Sequence, residues 1–321
     1  MTHTNKTQKP KIALGTWSWG SGAAGGDQVF GNHLTIEDLQ PVVDTAMAKS
    51  FNLWDTAAVY GEGSSETILG ELLKKYDRSS YLLSTKFTPQ ITTGSEETAM
   101  ENMLAGSFKR LNTDYIDIYW IHNPFDVEKW TPYLIPLIQS GKIKSVGVSN
   151  HNLSQIKRVT EILGQAGVKL AAVQNHYSLL YRSSEEAGIL EYCLENDIDF
   201  YAYMVLEQGV LTGKYSVDNP LPEGSGRAAT YNANLPKLAA LIDALAQLGN
   251  KYNAKVADIS TSWAINKGAV PIVGVTNEKY IASEERSQNI KLSEQEIEEL
   301  ERLAELTNVD TKGSWENSML S

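Results

Sequence analysis

Residues 116–149, IDIYWIHNPFDVEKWTPYLIPLIQSGKIKSVGVS, hold two short apolar, β-branched runs with a longer stretch at helical spacing between them. The runs at 116–122 and 143–149 read as strands, and 128–139 reads as the helix carrying the chain from one to the other. This is one βα unit, and the alternation continues in both directions. Further strands read at 12–16, 52–56, 81–86, 171–174, 200–204 and 270–275, making eight, with helices at 35–49, 65–75, 95–111, 153–163 and 185–195. Eight such units in series predict an α/β fold, a (β/α)8 TIM barrel, with residues 1–321 forming one domain. The seventh crossover, 205–269, is longer. It carries the Gly/Pro-rich stretch DNPLPEGSGR (218–227) before helices at 238–251 and 256–266, and it reads as a functional loop. Near the end, LSEQEIEELERLAEL (292–306) spaces Ile297, Leu300, Leu303 and Leu306 three apart, which predicts an extra amphipathic helix packed on the barrel exterior.

Composition narrows the function. With 321 residues, 42% of them hydrophobic, the chain can bury a large core. A formal charge of −11 argues against a nucleic-acid or anionic-membrane partner, since a basic surface supplies the affinity in those cases, and favours a small-molecule substrate. Cys193 is the only cysteine, so neither an intrachain disulfide nor a cysteine-based zinc site can form, and a cytoplasmic setting is the expectation. The five histidines, at 3, 33, 122, 151 and 176, include no His-x-His, so no metal site is expected. No signal sequence or run of 18 apolar residues is visible, which predicts a chain that does not span a membrane.

A barrel of this kind carries its chemistry where strands run into the following loops. The polar residues there are few: Asp55, Lys86, His122, Ser149, Asn150 and Gln174, at the ends of the second to sixth strands. Taken singly they are unremarkable, because Asp55 suits a strand-end cap, Lys86 a snorkelling surface residue and His122 a hydrogen-bonded core histidine. Their joint placement changes the reading. Asp55 and Lys86 on neighbouring strands make a natural ion pair, and Tyr60, in the glycine-flanked loop VYGEGSS (59–65), can fold back over the mouth. An adjacent ammonium favours phenolate, so the expectation is a Tyr60 with a lowered pKa, poised to exchange protons, with His122 orienting a carbonyl oxygen. Such donors support an oxygen that gains negative charge, which is the demand of carbonyl reduction. Trp17 and Trp19 are candidate pocket residues. Trp120 shares the inward parity of His122, whereas Trp54 takes the opposite parity to Asp55 and should face the helices.

At these residues the sequence resembles the aldo-keto reductase superfamily, over nearly the whole chain. LWDTAAVYGEGSSETILG (53–70) is similar to the family's Asp-to-Tyr segment, followed at the usual intervals by STK with Lys86 and YWIHNP with His122. The resemblance implies a (β/α)8 barrel, an N-terminal hairpin across its base, and reduction of an aldehyde or ketone by NADP(H) bound without a Rossmann domain. It further implies Asp55, Tyr60, Lys86 and His122 as the catalytic tetrad; Trp17, Trp19, Tyr60 and His122 are the residues expected to face substrate. Ser149, Asn150 and Gln174 would bind the carboxamide, with Tyr203 stacked under the nicotinamide and Met204 beside it. Leu206, Gln208, Gly209 and Lys214 would follow the pyrophosphate, and Arg227 would sit near the adenosine end with Gly274, Thr276, Asn277, Tyr280 and Glu284.

The chain departs from that pattern in two places. Met204-Val205-Leu206 stands where relatives carry Ser-Pro-Leu, and Tyr280 and Glu284 stand where a basic or amide residue and then Asn are usual. A carboxylate at Glu284 would repel a 2′-phosphate and could instead accept from the ribose of NAD(H), while Arg227 and Lys279 supply two cations for NADP(H). NADP(H) is the expected cofactor, with NAD(H) the alternative. A Rossmann dehydrogenase is disfavoured because GEGSSE opens no G-x-G-x-x-G helix. The rival from another class is a cofactor-binding regulatory subunit with little turnover, since the same resemblance includes channel-associated subunits that keep the tetrad.

Overall fold

The computed structural model describes residues 10–320. Its strands are β1 (Ala13–Gly15), β2 (Leu53–Asp55), β3 (Leu82–Phe87), β4 (Ile116–Ile121), β5 (Ile143–Ser149), β6 (Leu170–His176), β7 (Asp199–Tyr203) and β8 (Val270–Gly274). Each pairs in parallel with the next, and β1 pairs with β8, Ala13 opposite Ile272 and Gly15 opposite Gly274, so the sheet closes into an eight-stranded barrel ringed by helices. The TIM barrel expected from the alternation is the fold. A hairpin across the base would precede β1, where residues 1–9 lie outside the described residues.

Local chemistry explains where elements differ from the periodicity. The helix expected at 128–139 is split into Val127–Trp130, a 3-10 turn over Thr131–Tyr133 and Leu134–Gln139, because Pro132 and Pro136 remove helical N–H donors. The one expected at 185–195 is split at Gly188, whose φ of 73° interrupts it between Ser183–Glu186 and Ile189–Glu195. Near the C-terminus, the helix Glu294–Leu306 starts with a capping box in which Ser293 and Glu296 satisfy each other's backbone N–H groups. It packs on the neighbouring helix Leu235–Tyr252 in the outer ring and buries Leu300 and Ala304. Leu306 is 69% exposed, so the apolar stripe ends at Leu303 and Leu306 does not belong to it. Among the described residues no helix is long and apolar enough to cross a membrane.

The barrel interior is plugged beneath the strand ends by Ala13, Leu53, Trp120, Ala172 and Tyr201, with the Trp120 and Tyr201 rings edge to face at 5.4 Å. Gly147 opposite makes this possible, since a Cβ there would come within 2.2 Å of the Trp120 ring. Trp54 faces outward, packed against Trp19 at 5.9 Å in the layer between sheet and helices. Above the plug, a cleft opens at the C-terminal ends of the strands, and the site lies there.

Candidate active site

Asp55 closes β2 and Lys86 lies near the end of β3, with both side chains turned into the barrel. Lys86 is fully buried, a placement that strongly penalises an ammonium unless its donors are used. They are used: Nζ donates to Asp55 Oδ2 at 2.6 Å and to the Thr56 carbonyl at 2.7 Å, and lies 3.5 Å from the Tyr60 hydroxyl. Burial disfavours the charge, but Asp55 and Tyr60 together outweigh it and hold the Lys86 pKa above its ordinary value. Asp55 is held in turn by Ser84 Oγ and by Gln174 Nε2 at 3.1 Å. Ser84 sits two residues before Lys86 on the same strand, so its inward parity is legible in the sequence while its bond to Asp55 is not.

Tyr60 opens a tight turn, Tyr60–Gly63, in which Gly61, Glu62 and Gly63 all take positive φ. Gly61 is required there, because a Cβ would fall 2.2 Å from Ser64 Oγ and 2.7 Å from the Ser21 carbonyl oxygen. The turn drops the phenol over Lys86, whose Nζ is 5.1 Å from the ring centroid. Burial raises the Tyr60 pKa and outweighs the lowering by Lys86, with Asp55 adding to the rise. The expectation of a lowered value is thus corrected: in this setting Tyr60 holds its proton, which is the state a proton donor needs.

His122 follows β4, its ring edge to face with Tyr60 at 5.9 Å and its Nδ1 3.0 Å from Thr88 Oγ1. Burial and the Lys86 charge push its pKa well below the ordinary value, so the imidazole is neutral at neutral pH and presents one N–H and one lone pair. Asn150, in the left-handed region at φ 63°, donates to the His122 carbonyl at 2.9 Å and accepts from the Tyr203 hydroxyl at 2.5 Å. Asp55, Tyr60, His122, Ser149, Asn150, Gln174 and Tyr203 all line one cleft of about 570 Å³, and Lys86 lies directly behind Tyr60.

From this floor the cleft has two arms. One is walled by Trp17, Phe30 and Trp315: Trp17 meets Phe30 at 5.3 Å and Trp315 at 5.7 Å and lies 6.0 Å from Tyr60. The other follows Met204, Leu206, Gln208, Gly209 and Lys214 to Gly274, Thr276, Tyr280 and Glu284, with Arg227, Lys255 and Lys279 on its walls. The turn after β7 is unusual in backbone, with Met204, Glu207, Gln208 and Gly209 all at positive φ. Arg227 lies between the rings of Phe30 and Tyr215, with Nη1 donating to the Gln208 carbonyl at 3.2 Å. Glu284 is buried on the wall with Oε2 unpartnered, and burial followed by the Asp258 charge raises its pKa to about 8. Being mostly protonated at neutral pH, it lacks most of the repulsion that its side-chain type suggests.

Two sequence candidates fall elsewhere. Trp19 is fully buried outside the barrel wall, its Nε1 donating to the Val275 carbonyl at 2.7 Å, so it is a core residue and not part of the cleft. Asn277 does not line the cleft, because its Oδ1 accepts from Lys279 N at 3.1 Å at the start of the helix Lys279–Ser287. Phe30, Lys255 and Trp315 also line it, and of these only Trp315, an aromatic in the polar stretch GSWENS, carries a local signal in the sequence.

Comparison with known proteins agrees with this architecture. Residues 11–305 match the model of the Aldo/keto reductase family, and the chain belongs to that family of oxidoreductases. Among curated relatives, a chloroplastic pyridoxal reductase of Arabidopsis thaliana is 29% identical over 91% of this chain and 82% of its own length. An uncharacterized oxidoreductase of Mycobacterium tuberculosis is 32% identical over 90% of this chain and 87% of its own length. Among solved structures, a glycerol dehydrogenase from Gluconobacter oxydans superposes with a TM-score of 0.78 at 24% identity, covering 95% of this chain and 94% of that one. A Klebsiella pneumoniae aldo/keto reductase crystallised with NADP and acetate superposes at 0.70 with 22% identity, covering 96% and 94%.

Proposed function

We propose that this protein reduces an aldehyde or ketone to an alcohol with NADPH, Tyr60 giving the proton. The observation that carries the reading is the buried Lys86–Asp55 pair at 2.6 Å, set behind a Tyr60 hydroxyl at the floor of a cleft whose long arm is lined by cations. That arm suits a dinucleotide, because Lys214, Arg227, Lys255 and Lys279 can meet phosphates and the unpartnered Glu284 Oε2 offers a polar contact at its end. Relatives of this fold carry NADP in crystals, which supports NADP(H) over NAD(H). NADPH, when bound, supplies the hydride.

The chain's own residues do the rest. A carbonyl oxygen placed between Tyr60 and His122 accepts a hydrogen bond from the phenol and another from the neutral imidazole N–H. As charge grows on that oxygen, the Tyr60 O–H bond breaks and its proton passes to the oxygen, giving the alcohol. The phenolate left behind lies 3.5 Å from the Lys86 ammonium, which stabilises it, while Asp55 keeps that ammonium charged and in place. Ser149, Asn150 and Gln174 are assigned to the carboxamide and Tyr203 to the face of the nicotinamide ring.

The test is a carbonyl panel scored by loss of NADPH absorbance, run beside direct NADPH binding. Turnover of at least one aldehyde or ketone is expected. Tight NADPH binding with no turnover of any carbonyl would instead make the chain a nucleotide-sensing subunit.

A further inference from the structure

His176, the last residue of β6, is buried away from the proton-transfer groups, yet both its ring nitrogens meet carboxylates. Nε2 is 2.9 Å from Glu207 Oε1 in the turn after β7, and Nδ1 is 2.9 Å from Glu316 Oε1 in the segment that follows the last helix. All three side chains are fully buried, an expensive arrangement that is offset only while each ring nitrogen shares a proton with its acid. A second bond ties the tail down where Thr311 Oγ1 donates to Glu207 Oε1 at 3.1 Å, and Met319 is buried beyond. The tail is therefore pinned on both sides of Trp315, the residue immediately before Glu316, whose ring meets Trp17 at 5.7 Å on the cleft wall.

We propose that His176, Glu207 and Glu316 form a buried clasp that docks residues 309–320 and sets Trp315 as the outer wall of the substrate arm. His176 and Glu316 are then positioning residues that act on substrate binding through Trp315. The kinetic half of this proposal rests on the carbonyl-reduction reading; the docking half does not.

Two measurements on the full-length protein decide it: hydrogen exchange over 309–320, and kcat and KM for a two-ring aromatic aldehyde against a short aliphatic one. Glu316→Ala is expected to speed exchange in that segment by about tenfold or more, the scale set by losing one buried charge-assisted hydrogen bond. It should raise KM for the aromatic aldehyde by a comparable factor, well beyond any fall in kcat, and leave the aliphatic KM little moved. Glu316→Gln, which keeps an acceptor but no charge, should fall between the two, and it serves as the test if the alanine variant does not fold. Trp315→Ala should reproduce the KM change, with the double variant no worse than either single one. Wild-type exchange in both Glu316 variants, or faster exchange with the aromatic KM unmoved, overturns the clasp. If the wild type turns over no carbonyl, the carbonyl reading falls while the exchange comparison still decides the docking.

Discussion

Asp55 with Lys86 and His176 with its two glutamates are both buried charge clusters at the strand ends, but they are built from different materials. The first joins residues 31 apart, both carried by barrel strands, with one cation facing one carboxylate behind a hydroxyl. The second joins residues 140 apart, with one imidazole facing two carboxylates, and one of those comes from an irregular tail. A group on a closed barrel cannot leave without breaking the sheet, whereas a tail can undock while the barrel stays folded. The first cluster is thus suited to fixing a proton-transfer geometry and the second to governing access. Substitutions should separate them: changes in the first should act on kcat, and changes in the second on substrate KM and tail protection.

The sharpest break comes at Tyr60. Tyr60→Phe deletes only the hydroxyl and leaves the cleft and tail as they are, so kcat for carbonyl reduction should fall by ~10²–10⁴ while NADPH affinity holds within about threefold. Retention of more than about a tenth of wild-type kcat, with chemistry rate-limiting, would show that the proton comes from elsewhere. Lys86→Met should act next most strongly. The ammonium holds the Tyr60 pKa down against burial, so its loss should move the alkaline limb of the kcat/KM profile to higher pH and lower the rate. Asp55 would also be left buried without its cation, so stability should drop by about 3–5 kcal/mol in a denaturant titration. A pH profile that overlays wild type would remove Lys86 from its tuning role.

The same contrast explains what could be read from the sequence. Asp55, Lys86, His122, Ser149 and Gln174 are legible because strand periodicity fixes which side chains point inward, and a closed barrel fixes which ends meet, whereas Asn150 reaches the cleft from a positive-φ position just past β5 that parity does not give. His176 shares the parity of Gln174 two residues earlier, so half of the second cluster was also visible in principle. Its partner was not, because nothing local in GSWENSML says that Glu316 folds back against β6. Trp19 misled because aromatic type alone cannot separate a cleft wall from the layer behind it, two residues beyond Trp17. The direction of the Tyr60 shift is not legible, because the neighbouring charge is visible in sequence and the extent of burial is not.

The clasp should also carry a pH signature that the strand-borne pair lacks in the same range. Burial works against the His176 charge, but Glu207 and Glu316 raise its pKa to about 9, above the ordinary 6.5. The native state therefore binds this proton more tightly than the unfolded chain, and its contribution to stability is complete below about pH 6.5 and lost as pH rises through about 9. The hydroxyls nearest the cluster, those of Tyr181, Tyr203 and Tyr231, all have values raised by burial and stay protonated across that window. Melting temperature should fall between pH 7 and 9.5 more steeply in wild type than in Glu316→Gln, where one of the two charges that raise the value is gone. Parallel slopes would mean that His176 is not charged in the native protein.

Glu284 sharpens the comparison from a third direction, since it is a buried carboxyl with no cation hydrogen-bonded to it. Asp55 is matched by Lys86 and Glu316 by His176, whereas Glu284 answers burial by keeping its proton, with a pKa raised to about 8. Its charge is therefore set by pH within the working range, and so is its effect on a 2′-phosphate bound near it. Below about pH 7 the side chain is a neutral acid, and Glu284→Gln, neutral and of the same shape, should leave NADPH affinity within about threefold of wild type. Above about pH 8 the wild-type side chain ionises and repels the phosphate, while the glutamine cannot. At pH 9 wild type should then bind NADPH about five- to tenfold more weakly than Glu284→Gln, the size of one like-charge contact of about 1 kcal/mol in a partly hydrated site. The phosphate titrates too, near pH 6, but it does so for both proteins and cancels in their ratio. NADH has no such phosphate, so its affinity ratio between the two proteins should stay flat with pH. Titrations of both nucleotides, followed by nucleotide fluorescence from pH 6 to 9, give the four curves. A constant NADPH ratio across that range would place the 2′-phosphate away from Glu284, and a pH-dependent NADH ratio would assign the carboxylate to the ribose instead.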